Sequence, residues 1–148
     1  MKNIWLSLLL LCSLQAHAEI TIVEPWARTT APGQKVAAGY ARIMSDKDVT
    51  LVAGHSDFAD KVEFHEMRME DGMMKMRALK QLELKANTPV ELKPGGLHLM
   101  LIGIKSRVKV GDAIPLTLVF EDKQSKQESV PVTLNGRAIS GHDMGHTH

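Results

Sequence analysis

The chain has 148 residues, a formal net charge of +1 and 44% hydrophobic residues, enough for one domain with a real core. That balance excludes a strongly basic nucleic-acid binder and a polybasic membrane-surface protein. One cysteine excludes a disulfide framework, while nine methionines are many for this length.

At the N-terminus, Lys2, the apolar run from Ile4 to Leu11 and Ala16-His17-Ala18 read as a secretory leader over residues 1–18. The run is too short to span a bilayer and no second one follows, so no stable membrane insertion is expected. Leu11 precedes Cys12 where lipid attachment would want a small residue, so a lipoprotein reading is disfavoured. Cleavage after Ala18 removes Lys2 and Cys12, leaving 17 basic and 17 acidic residues and no cysteine. Zinc-thiolate sites, thiol redox chemistry, a cysteine nucleophile and a blue-copper centre all fall away with that residue.

From residue 19 onward, short β-like runs alternate with turn signals. Ile20 to Val23 leads to Pro25-Trp26, and Thr29 to Gln34 is a loop. Val36 to Met44 predicts a strand ending in the turn Ser45-Asp46-Lys47-Asp48. Thr50 to Gly54, Val62 to Met69 and Met73 to Leu79 follow, with one helical turn expected over Asp57 to Asp60. Val90 to Leu92, Leu97 to Ile104, Ile114 to Glu121 and Ser129 to Leu134 complete the set. Pro and Gly punctuate the junctions at Pro89, Pro94-Gly95-Gly96, Gly111 and Asn135-Gly136. The pattern predicts an all-β sandwich or barrel over residues 19–138 and a mobile tail over 139–148.

Asp71-Gly72 between two β-like runs predicts a type I′ hairpin. Met67 would then face Met76, and Met69 would face Met74. Period-two alternation puts His65, Met67, Met69, Met74, Met76 and Ala78 on one face. The other face, with Glu66, Arg68, Glu70, Met73, Lys75 and Arg77, is almost entirely charged. In the later strand His98, Met100 and Ile102 share a face, opposite Leu97, Leu99 and Leu101. His65, Met76, His98 and Met100 thus stand out as two imidazoles and two thioethers, a donor set suited to Cu(I). The competing reading is a core filled with methionine and a structural histidine. Against it, His65-Glu66-Met67 and His98-Leu99-Met100 repeat the same step on two strands.

Ten residues separate His65 from Met76, twenty-one separate Met76 from His98, and one separates His98 from Met100. This spacing resembles the motif of the periplasmic Cu(A) chaperone family, PCu(A)C. So do the phrases Val62-Glu63-Phe64-His65-Glu66-Met67 and Leu92-Lys93-Pro94-Gly95-Gly96-Leu97-His98-Leu99-Met100, within a likeness running from Ile20 to Leu134. The resemblance implies a cupredoxin-like Greek-key β-sandwich holding one Cu(I) through His65, Met76, His98 and Met100. The protein is expected to be a periplasmic, monomeric chaperone without catalytic activity. Copper would go to the copper subunit of a respiratory haem-copper oxidase, alongside a Sco-type thiol protein. The alternative is sequestration or resistance, with the same ion kept rather than delivered.

Neutral thioether and imidazole donors leave the ion its single positive charge, which favours Cu(I), and they avoid a thiolate that an oxidising compartment would consume. In the tail, His142, Met144, His146 and His148 form a candidate second site, with the imidazoles suited to Cu(II). A copper oxygenase would need His17 as the mature N-terminus, which the cleavage rule does not favour, and no acid/base or nucleophile set is present. His55 reads as an ordinary surface residue.

Overall fold

The computed structural model describes residues 17–139. The leader (except His17 and Ala18) and the tail (except Ile139) therefore lie outside the described residues. Ten strands are present: β1 (Ile20–Arg28), β2 (Val36–Ser45), β3 (Val49–His55), β4 (Lys61–Glu70), β5 (Met73–Leu79), β6 (Leu82–Leu84), β7 (Val90–Leu92), β8 (Leu97–Ile102), β9 (Ala113–Glu121) and β10 (Gln127–Arg137). No helix occurs among the described residues, so the fold is all-β as expected.

The strands hydrogen-bond in one continuous sheet, ordered β5-β4-β8-β7-β2-β1-β10-β9-β3-β6. Its two halves join where β1 runs parallel to β10, with Trp26 beside Asn135 and Arg28 beside Arg137. The layers of the expected sandwich are the two halves of this sheet, curled over a single core. Period-two alternation builds that core: along β9, Ile114, Leu116, Leu118 and Phe120 point inward and are almost fully buried. Leu51, Leu99, Leu101 and Leu134 meet them, each no more than 1% exposed. Each such side chain contributes about 1.5–3 kcal/mol relative to an exposed position.

Four local expectations are corrected. β1 does not stop at Val23 but passes through Pro25, because the register shifts between Val23 and Trp26 and Glu24 takes φ 49°. A proline without an N–H is tolerated where the ladder is interrupted. Asp57 to Asp60 is a turn, not a helical one, entered as Ala59 N donates to Ser56 O at 3.3 Å. β6 was not expected; it forms by pairing Leu84 with Val49 and Leu82 with Leu51. Asn135-Gly136 is no turn but part of β10. A Cβ on Gly136 would stand 1.9 Å from the Lys109 carbonyl oxygen, so glycine is there for a close backbone approach.

The β4–β5 hairpin folds as its turn predicts. Asp71 and Gly72 take φ 51° and 75°, the paired left-handed conformation of a type I′ turn. Met67 faces Met76, Met69 faces Met74 and Glu70 faces Met73. At its base Phe64 is buried opposite Leu79. Beyond that pair the hairpin leaves the core. Its reverse face is held by ion pairs from Glu70 to Arg77 at 3.0 Å and Lys75 at 3.4 Å.

Candidate metal centre

β8 lies between β4 and β2, and the register across β4 sets the site. Glu63 pairs with Met100, and His65 pairs directly with His98. Cross-strand partners share a face, and this one is the reverse of the face that buries Phe64, Leu99 and Leu101. The two imidazole rings lie 5.7 Å apart, centroid to centroid. Met100 sits two residues along β8 from His98. Met76, opposite Met67, is diagonal to His65, a backbone separation of about 7–8 Å that long side chains bridge. The sheet thus brings all four sequence-selected residues to one patch, with both histidines largely buried and Met76 50% exposed.

Hydrogen bonds orient the two rings differently. His98 Nδ1 lies 3.0 Å from the Gly96 carbonyl oxygen. A carbonyl only accepts, so the neutral ring carries its proton on Nδ1 and presents a lone pair at Nε2. His65 Nε2 lies 2.7 Å from Glu63 Oε2, and a carboxylate likewise only accepts. The lone pair of neutral His65 is therefore on Nδ1. That atom is buried with no hydrogen-bond partner, the one such side-chain atom among the described residues. A buried lone pair left unused costs free energy, and a metal ion would satisfy it. Supporting partners of this kind are what orient metal-binding histidines.

Glu63 is itself anchored by Lys61. The Lys61 ammonium first, and the His65 hydrogen bond second, hold its carboxyl below the usual carboxylate range. Sequence reasoning missed Glu63 as part of the site, although its place two residues before His65 put it on the same face. It also missed the aromatic flank. Tyr40 lies 6.5 Å from His98, Trp26 lies 4.5 Å from Tyr40, and the Arg137 guanidinium sits 5.3 Å over the Trp26 ring. These rings wall off one side of His98, and burial raises the Tyr40 phenol pKa against the opposing pull of Arg28. A recess lined by Arg28, Gln34, Ala38 and Met100 opens beside the patch.

Among the described residues, no three His, Cys, Asp or Glu side chains are grouped to hold a metal. The further donors on this face are the thioethers of Met76 and Met100, which suit a soft ion over one that prefers oxygen. His142, Met144, His146 and His148 lie outside the described residues, and His55 is exposed at the end of β3.

The architecture is that of the PCuAC domain. The copper-bound PCuAC domain from PmoF2 superposes with a TM-score of 0.61 at 23% identity, covering 82% of this chain and 100% of that one. CuI-DR1885 from Deinococcus radiodurans superposes with a TM-score of 0.53 at 23% identity, covering 84% and 83%. Residues 20–132 match the family model "Putative lipoprotein LpqE-like", and the chain belongs to the LpqE-like family. It is 30% identical over 125 residues to protein RP573 of Rickettsia prowazekii, across 80% of this chain and 69% of that protein. It is 27% identical over 114 residues to Lxx21020 of Leifsonia xyli subsp. xyli, across 76% and 69%.

Proposed function

We propose that this protein is an exported carrier of Cu(I), bound through His65, His98, Met76 and Met100 and handed to the copper centre of a respiratory haem-copper oxidase. The observation that carries the reading is the buried, unpartnered Nδ1 of His65, on a ring whose centroid lies 5.7 Å from that of His98 across β4 and β8. Two structural neighbours are named as copper-bound, one with Cu(I), which supports the choice of ion. Four neutral donors fill a tetrahedral Cu(I) and leave no position for a substrate, so the reading is of a carrier and not a catalyst. The exposure of Met76 favours delivery over sequestration, because an acceptor's ligand can reach the ion from that side. A dinuclear thiolate acceptor binds Cu(I) more tightly than thioethers and imidazoles, so transfer runs downhill.

The leader read in the sequence and the family's lipoprotein description both support export to the periplasm. No helix among the described residues is long and apolar enough to cross a membrane. A Sco-type thiol protein is the proposed companion in delivery, and the tail a proposed auxiliary site for Cu(II).

The test is anaerobic Cu(I) titration against a coloured chelator, followed by mixing the loaded protein with the apo copper domain of an oxidase. One tight equivalent that moves to the domain is expected. Failure of transfer after tight binding would leave sequestration in its place.

A further inference from the structure

Beyond the four proposed ligands, the hairpin holds methionines for which the core has no use. Met69 is 62% exposed and Met74 is 47% exposed, although a gap-filling methionine is a buried one. They face each other across β4 and β5, and Met67 faces Met76 one step nearer the histidines. Directly opposed residues on one face have Cβ atoms about 4.5–5.5 Å apart, within reach of flexible thioether side chains. The result is a ladder of thioethers on the His65 face of an arm that projects from the core.

We propose that Met67, Met69 and Met74 form a second, weaker Cu(I) site, through which the ion enters and leaves the histidine pair. The proposal rests on the carrier reading above and deepens it. Thioethers select Cu(I) over ions that prefer oxygen or nitrogen. A set without imidazole holds it less tightly than the His65–His98 pair, so the gradient along the arm runs inward. Met76 pairs with Met67 and stands diagonal to His65, so it belongs to both sets and the ion passes between them without release into water. Glu66, Glu70 and the turn residue Asp71 match Arg68, Lys75 and Arg77 in number, with ion pairs among them on the reverse face, so the arm carries no net charge to repel a cation.

Met73 supplies an internal control. It is the most exposed methionine of the hairpin at 65%, but it pairs with Glu70 on the opposite face. The full chain, carrying isotope-labelled methionine methyl groups, is titrated anaerobically with Cu(I) from its acetonitrile complex and followed by NMR. The first equivalent is expected to shift the Met76 and Met100 methyls. The second is expected to shift those of Met67, Met69 and Met74 together, with Met73 and Met44 unmoved. The double variant Met69→Leu/Met74→Leu keeps the first event, loses the second and releases copper to a chelator several-fold more slowly. The proposal is overturned if the ladder methyls stay still while the second equivalent goes to Met144, or if Met73 shifts with them as in unspecific binding. It is equally overturned if the double variant releases copper at the unaltered rate. If the first equivalent leaves Met76 and Met100 still, the carrier reading and the relay fall together. Failure at the ladder alone leaves the carrier standing.

Discussion

His65 on β4 stands directly opposite His98 on β8, and their rings, 5.7 Å apart, are tilted 42° to one another. Each ring is held through one nitrogen, Nε2 by Glu63 and Nδ1 by the Gly96 carbonyl. The neutral pair therefore presents one δ and one ε lone pair from adjacent strands. A rigid sheet supplies both, so little ordering is left for the ion to impose.

Met76→Leu separates binding from stability. The side chain is half exposed, and an exposed substitution of similar volume changes stability by no more than about 0.5 kcal/mol. Tight Cu(I) binding should nevertheless be lost, as read by chelator competition beside thermal unfolding. Leu101→Ala should do the reverse at the fold: this fully buried residue should lower stability by about 2–5 kcal/mol.

Glu63→Ala should lower Cu(I) affinity about 10-fold to 100-fold, the usual effect of losing a hydrogen bond that orients a metal-binding histidine. Glu63→Gln should recover part of the loss, since its amide oxygen still accepts from Nε2. Because the carboxyl titrates below its ordinary value in the folded chain, its pairing is in place above the ordinary carboxylate pKa of about 4.3. It is lost only as pH falls through the lowered value. Near neutrality, well above that range, Glu63→Ala should therefore bind Cu(I) more weakly than the unaltered protein, and equal affinity there would refute the positioning role.

Tyr40 is the chain's only tyrosine, so phenolate absorbance reports on it alone. Burial raises its pKa, and the folded state then binds more protons than the unfolded one in the alkaline window. Stability should be intact below the ordinary phenol value of about 10 and fall as pH rises through the raised one. Absorbance and circular dichroism, followed together in an alkaline titration, should change above that value.

Gly136→Ala should destabilise by about 1–3 kcal/mol or more, the range for forced overpacking, because the added carbon would meet the Lys109 carbonyl at 1.9 Å. Chemical unfolding measures it directly. A neutral result would mean that β10 and the 109–112 turn separate easily.

What the sequence made legible was local. Asp71-Gly72 fixed the hairpin register, and with it the face shared by His65 and Met76, because a two-residue turn leaves only one pairing. The alternation in β8 likewise marked Leu99 and Leu101 as its buried side. Non-local pairings were not legible. Leu82 to Leu84 is only 3 residues long, too short for alternation to announce a strand, and becomes one only beside β3. Nothing in periodicity says that β4 pairs with β8 or aligns His65 with His98, because that register joins segments far apart in the chain. Glu63 and Tyr40 escaped notice for the same reason, since their roles come from neighbours brought by the sheet.

β5 occupies one end of the strand order, so its outer row of backbone N–H and C=O groups has no sheet neighbour among the described residues. The strand that carries Met76 is thus also the one best placed to recruit a strand from another chain. Such an edge, lined with bare methionines, invites self-association. Lys75 and Arg77, both exposed along it, share the single carboxylate of Glu70, and the positive charge left over on this edge pushes identical edges apart. Replacing them by neutral residues should promote pairing between copies through this edge.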